Sequence, residues 1–265
     1  MKLSAYLDGI GVLGPGLASW PDCAQILLGK RPYTNAPTAL SVPSMLPPAE
    51  RRRTGRVVKL ALAIALEAST AAAADLQKLA SVFSSSGSDG HICHEICDAL
   101  AQSPREVSPT RFSNSVHNAS AGYWNIGTGA MTESNVLCAF DASFVAGLLE
   151  SMTQSAVDKS SVLLVAYDTE YPPPLHAKRP IPDAFGIAMV FSPEKTPRSL
   201  ARLEVSLTEV RADSLADAGL ESLRRAIPAA RGLPLLRLLA AGAAGNCVLD
   251  YLDVTRAAVQ VEPCR

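Results

Sequence analysis

Residues 143–168, SFVAGLLESMTQSAVDKSSVLLVAYD, decide the fold class. Ser143 to Val157 reads as a helix, with apolar side chains returning at three- and four-residue intervals. Asp158, Lys159 and Ser160 break that pattern, and Ser161 to Asp168 follows as a strongly apolar run, the signature of a strand covered on both faces. A helix feeding straight into such a strand is the repeating step of α/β architecture.

The same alternation continues upstream. Met1 to Leu13 forms a first strand closing on Gly14-Pro15-Gly16, and Pro21 to Leu28 a short helix. Arg31 to Pro48 is a proline-punctuated loop, long enough to imply a surface excursion. From Glu50 a helix begins in which Val57, Leu60, Ala61, Ile64, Ala65 and Ala68 recur at helical spacing. Its opening turns carry Arg51, Arg52, Arg53, Arg56 and Lys59, cations that oppose the helix dipole and so call for an anionic partner. Leu79 to Ser85 is a buried strand, His91 to Gln102 a helix capped by Ser88 or Asp89, Asn118 to Gly127 a helix, and Asn135 to Phe140 a short strand. Downstream, Ala184 to Phe191 and Ala201 to Val210 are consecutive strands expected to pair antiparallel. Helices around Ser214 to Ala226 and Pro234 to Ala241 follow, then a last short strand at Ala257 to Val261. The expected fold is therefore α/β, a mostly parallel mixed sheet with helices on both faces, in one domain spanning residues 1–265.

Composition narrows the function classes. The chain has 265 residues, 48% hydrophobic and 18% charged, with 24 basic and 25 acidic side chains for a net charge of -1. That balance excludes a disordered tail, a coiled coil and a nucleic-acid binder held by bulk charge. The apolar stretch Leu60 to Ala74 contains Glu67 and Thr70 and falls short of the roughly 20 apolar residues of a membrane span. Six scattered cysteines without a secreted-scaffold spacing read as reduced thiols, so a soluble cytoplasmic protein is expected.

Among the chemistry-bearing clusters, His91, Cys93, His94 and Cys97 are dense, but no second pair follows at a finger-like distance. No metal and no cofactor is expected, and the two cysteines read as small buried side chains. The turn Ser84 to Gly90, after a strand and before a helix, offers backbone N–H groups to an anion but lacks the lysine of a Walker loop. Asp168 and Glu170 lie at the C-terminal end of the strongest strand, where open α/β sheets place sites; as neighbours without a nucleophile they read as solvated carboxylates. No G-x-S-x-G elbow is present.

The most distinctive stretch is SPTRFSNSVHNASAGYWNIGTG, residues 108–129. Together with DGIGVLGPG (8–16), RRRTGRVVKLALAIALEAS (51–69) and VLCAFDASFVAGLLES (136–151), it resembles the N-terminal half of a β-ketoacyl synthase of the thiolase-like superfamily. Within that superfamily the chain is similar to the short ketosynthase-like proteins that accompany full ketosynthases in aryl polyene and xanthomonadin-type pigment biosynthesis. The resemblance covers nearly the whole chain, which would be truncated relative to a full ketosynthase.

Condensing enzymes accept an acyl chain on a cysteine thiolate at a strand-to-helix elbow. The resemblance places Asp141, or with one residue of slip Ala142, at that position, and neither can form a thioester. Cys138 falls too early. The decarboxylation groups of the family are missing too, since no histidine follows His176 and no lysine follows Lys195. Two glycines of the family pattern are replaced by about Tyr167 and Asp168. The resemblance thus implies a non-catalytic subunit, chain-length-factor-like, that heterodimerises with a full-length β-ketoacyl synthase and meets acyl carrier protein through the complex. Asn114, His117, Tyr123, Trp124, Phe140 and Phe144 would lie at the dimer interface and close the partner's acyl tunnel. Two other readings stand beside it: a stand-alone acyltransferase or thioesterase-like enzyme using His117, Cys138 or Asp141, and a carrier-protein docking module using Arg51, Arg52, Arg53, Arg56 and Lys59.

Overall fold

The computed structural model describes residues 2–264; Met1, counted in the expected first strand, lies outside the described residues. Eight strands form one sheet in the order β3-β2-β4-β5-β1-β6-β8-β7. They are β1 (Lys2–Leu13), β2 (Ala80–Ser84), β3 (Ser134–Leu137), β4 (Val162–Asp168), β5 (Phe185–Ser192), β6 (Ala201–Thr208), β7 (Gly245–Asp250) and β8 (Arg256–Pro263). The helices are α1 (Trp20–Leu27), α2 (Pro48–Arg51), α3 (Arg56–Ala71), α4 (Gly90–Ala101), α5 (Pro109–Asn114), α6 (Ala119–Thr128), α7 (Ser143–Asp158), α8 (Ala218–Ala226) and α9 (Leu233–Ala241).

The apolar run of β4 is explained by its two covered faces. Val162, Leu164 and Ala166 join one core with Phe144, Leu148 and Met152 of α7 and with side chains of α1, α8 and α9. Leu163, Val165 and Tyr167 point the other way, into a core with α3 and α6 that holds Leu60, Ile64 and Trp124. Side chains alternate along a strand, so each layer of helices receives every second residue.

The α/β class with helices on both faces is the observed architecture, and the sheet is mixed. Parallel pairing is confined to β2 with β3 and β2 with β4; the other five pairs are antiparallel, a smaller parallel share than the helix–strand rhythm implied. The expected β5–β6 pair does not form. β1 lies between them, antiparallel to both, because its length of 12 residues lets it hydrogen-bond on each side. β7 was not foreseen: GNCVLD has little strand character of its own and is held by pairing with β8.

Gly9 and Gly11 let α3 lie directly on β1. A Cβ at either position would come within 2.2 Å of a carbonyl oxygen of α3, that of Ala68 or Ile64. Beside them Asp8, at a bulge in β1, accepts hydroxyl hydrogen bonds from Ser192, Thr196 and Ser199 at 2.6, 3.0 and 2.7 Å, fixing the β5–β6 connection.

The basic helix start also resolves differently. The chain breaks between α2 and α3, so only Arg56 and Lys59 stand in the first turn of the long helix. Arg56 meets its anionic partners within the chain, Glu170 at 2.7 Å and Asp183 at 2.8 Å. Arg51 donates to the carbonyls of Leu46 and Ser44, and Arg53 pairs with Glu50. Arg52 is exposed and Lys59 half-buried. Cys93 and Cys97 are exposed rather than buried, because α4 packs mainly on α5 and keeps only Gly90 inside. Among the described residues no helix is long and apolar enough to cross a membrane, and no three His, Cys, Asp or Glu side chains gather as metal ligands.

Candidate functional site

The junction between β3 and α7 is a tightly held piece of backbone. β3 ends at Leu137, so Phe140 is not a strand residue as the sequence suggested. Instead Phe140–Ala142 form a short 3-10 turn, and Phe140 adopts φ 51°. A phenylalanine in the left-handed region is strained and persists only where surrounding contacts hold it. Those contacts converge on Ser143, the first residue of α7. Its Oγ accepts the Ala139 N–H at 3.0 Å and has the carbonyls of Phe140 and Ser85 at 2.7 and 3.0 Å to donate to. Ser84 Oγ in turn donates to the Ser143 carbonyl at 2.6 Å. The end of β2 therefore clamps the start of α7 and shapes the elbow between them.

Outside the clamp, Asp141 is pinned by two arginines. Arg179 reaches its carboxylate at 2.5 Å and Arg231 at 2.9 Å, and Arg231 also donates to the Asp141 carbonyl at 2.8 Å. The Arg179 guanidinium lies 3.9 Å above the Phe140 ring, a cation–π contact. Phe140 nonetheless stays 62% exposed. It borders a cleft of about 440 Å³ lined also by Arg231, Tyr251, Leu252 and Arg256. Neither arginine had a signal in the sequence, since Arg179 sits in the β4–β5 loop and Arg231 in the 3-10 turn Pro228–Gly232, both far from residue 141. Ala142 is buried and caps α7 without a side-chain bond. Cys138 is exposed, two residues before the turn, with its thiol directed at the Ser86 carbonyl at 3.4 Å.

The other residues singled out by sequence fall into two groups. Tyr123, Trp124, Asn114 and Phe144 are buried within the chain itself. Tyr123 donates to Asn114 Oδ1 at 3.0 Å, while Asn114 Nδ2 donates to the Arg53 carbonyl at 2.9 Å. Trp124 is fully enclosed by the α3 core, and Phe144 lies in the opposite core. His117 is half-buried, which pushes its pKa below the usual imidazole range, and its Nε2 lies 3.3 Å from Ser85 Oγ. That serine is buried with its hydroxyl already committed to the Gly87 carbonyl, so the pair does not form an accessible nucleophile and base.

Outward, α5, α6 and the link between them present Phe112, Val116, Gly122 and Ile126 among the exposed polar Thr110, Arg111, Ser113 and Asn118, with Met131 just beyond. A groove of about 430 Å³ runs along this face past Arg53 and Asn118. Alongside it β3 is the terminal strand of the sheet, paired only with β2. Exposed large apolar side chains set among polar ones beside an open strand edge are the make-up of a protein interface.

Asp168 is a buried carboxylate, not the solvated one its place in the sequence suggested. Oδ1 accepts from the Ser86 backbone N–H at 2.8 Å and the Ser86 hydroxyl at 2.6 Å, and Oδ2 accepts from the Ala229 N–H at 2.8 Å. One backbone donor of the Ser84 to Gly90 turn, the Ser86 N–H, thus meets an anion belonging to the chain itself. Glu170 is engaged as well, by Arg56, whereas His176 is exposed in the β4–β5 loop.

A family profile described as "Beta-ketoacyl synthase, N-terminal domain" matches residues 20–241. The curated proteins gave no match. Among solved structures, the chain resembles one from the complex of the ketosynthase ApeO with its chain length factor ApeC from Xenorhabdus doucetiae, with TM-score 0.72 and 23% identity over 97% of this chain and 99% of that one. A chain of the ishigamide ketosynthase/chain length factor gives TM-score 0.73 at 13% identity, covering 98% and 99%. A β-ketoacyl synthase from Burkholderia phymatum STM815 gives TM-score 0.68 at 10% identity, covering both chains fully. The thiolase-like half-fold expected from the sequence is the one these structures share.

Proposed function

Because the chain belongs to the β-ketoacyl synthase N-terminal domain family, we propose that it is a non-catalytic, chain-length-factor-like subunit that pairs with a full ketosynthase, residues 1–265 acting as one domain. The observation that carries this reading is the elbow. Its left-handed residue at the strand-to-helix turn is Phe140, one position before Asp141 and two before Ala142, the two residues the family resemblance placed there. A phenyl ring cannot accept an acyl group. The carboxylate beside it is neutralised by Arg179 and Arg231, and Cys138 lies outside the turn. The names of two of the similar structures, each a ketosynthase with its chain length factor, support the same reading.

In this proposal the partner covers the outward face of α5 and α6 and the free edge of β3. Ile126, Val116 and Phe112 meet it directly, while Tyr123 and Trp124 back that wall from inside and limit how far it yields to a growing acyl chain. His117 and Asn114 tie the wall to the Ser85 turn and to Arg53. An acyl carrier protein is met through the complex. Arg51, Arg52 and Lys59 are the cations of the basic start without an ion pair among the described residues, and Arg51 is spent on the Ser44 and Leu46 carbonyls. A polyene pigment or related type II fatty-acid-like pathway in the cytoplasm is the setting.

The test is co-expression with a full ketosynthase from the same gene set, followed by size-exclusion chromatography and a condensation assay with each protein alone and together. Co-elution, with product length changing only in the pair, is expected. A chain that elutes alone and leaves the ketosynthase's products unaltered overturns the proposal.

A further inference from the structure

The helix layer opposite α3 holds an apolar cavity, away from the α5–α6 face. Its floor is the sheet, where Ile10 of β1 and Val261 of β8 are buried. Its walls are Trp20 and Ala24 of α1 and Leu238 and Leu239 of α9. Trp20, Leu238 and Leu239 pack on the core yet stay partly exposed, so apolar surface faces the open space. The cavity measures about 290 Å³, and no lining residue carries a charged, hydroxyl or amide side chain.

A cation stands at the rim. Lys195 Nζ donates to the Cys264 carbonyl at 3.2 Å, and the Cys264 N–H donates to the Leu200 carbonyl at 3.0 Å. Leu200 and Pro263, the residue before Cys264, both line the cavity. Lys195 is exposed and makes no ion pair among the described residues. The loop around it carries Glu194 and Arg198, both exposed, so its net charge is positive. Glu262, next to Pro263 on β8, is taken up by Arg202 at 3.4 Å. The C-terminal end of α9, capped by Gly242, borders the cavity too, and its carbonyls repel an anion. An anionic group is therefore accepted on the Lys195 side.

We propose that this cavity binds a medium-chain aliphatic carboxylate, its chain lying between α1 and α9 and its carboxylate at Lys195. Walls without polar side chains offer nothing for a sugar, nucleotide or peptide to pair with, but they remove methylenes from water. Volume sets the length. An apolar cavity of about 150 Å³ takes one benzene ring, so about ten to twelve carbons fill this one.

The experiment is isothermal titration calorimetry on the full chain with straight-chain carboxylates from hexanoate to tetradecanoate, below their micelle concentrations. It needs no ketosynthase, so it stands or falls apart from the pairing proposed above. Affinity should rise about fourfold per added methylene as far as decanoate or dodecanoate, and then level off because further carbons stay in water. Ala24→Phe fills the space and should abolish decanoate binding while leaving the melting temperature unchanged or higher. Should Ala24→Phe fail to fold, Ala243→Trp at the exposed rim should block the same entry. Lys195→Met should weaken decanoate about two- to fivefold and leave decanol binding unchanged. Affinity independent of chain length, or still climbing at tetradecanoate, overturns the site, as does binding that survives the blocking variant. Equal loss of decanoate and decanol in Lys195→Met, or no loss of either, overturns the assignment of the carboxylate to Lys195.

Discussion

Replacing Trp124 with alanine separates a residue that holds the subunit together from one that touches the partner. Trp124 is fully buried among α3, α6 and the sheet, so the substitution empties an indole-sized volume in the chain's own core. Large-to-alanine changes of this kind cost about 3–5 kcal/mol, a large part of a total stability of about 5–15 kcal/mol. In urea, with a slope of about 2–3 kcal/mol/M for a chain this size, the midpoint of the isolated subunit should fall by roughly 1–2 M. Trp124→Phe should cost much less. Among the described residues the indole N–H has no hydrogen-bond partner, and removing an unpaired buried donor recovers about 1–3 kcal/mol of the lost packing. Ile126 lies on the same helix but is 53% exposed, so Ile126→Ala should move the midpoint by no more than about 0.5 kcal/mol's worth while weakening co-elution with the ketosynthase. A Trp124→Ala subunit as stable as wild type, yet altering product length in the pair, would refute the assignment of Trp124 to the core.

The remaining predictions concern stability of the chain alone. Gly11→Ala drives a methyl against the Ile64 carbonyl at 2.2 Å and should cost about 1–3 kcal/mol by chemical denaturation. Asp8→Ala strands the hydroxyls of Ser192, Thr196 and Ser199 and should cost about 2–4 kcal/mol in the same assay. The Arg224 hydrogen bond, with help from the Leu215 N–H and Arg225, holds Glu221 down at about 2 from its ordinary 4.5. A depressed carboxylate contributes stability that is present above pH 4.5 and lost as pH falls toward 2, so Glu221→Gln should flatten the dependence of melting temperature on pH in that window.

Much of the secondary structure was legible in the sequence because it follows local patterning. The helical spacing of Val57 to Ala68, the run Ser161 to Asp168 and the turn residues Gly14-Pro15-Gly16 all mark elements that formed where expected. Pairing was not legible in the same way. β5 and β6 are neighbours in sequence but not in the sheet, because hydrogen-bonding partners are chosen by which long strand can reach both sides, and that strand is β1. β7 exists only through β8, so no window around Gly245 contains the reason for it.

The candidate site divides along the same line. Chemistry carried by residue type was decided by the sequence alone: no thiol stands within residues 140–142, and no histidine follows His176, whatever the fold. Environment was decided only by tertiary structure. Trp124 and Ile126 sit two residues apart on one helix, and a rotation of about 200° between them puts one in the core and the other in water. Asp168 reads as a loop carboxylate until Ser86 and Ala229, 82 and 61 residues away, close over it. Asp141 becomes a neutralised ion only because Arg179 and Arg231 arrive from distant segments. Side-chain identity is local and survives in a string of letters. Burial and charge balance are sums over neighbours in space, and only the folded chain supplies those neighbours.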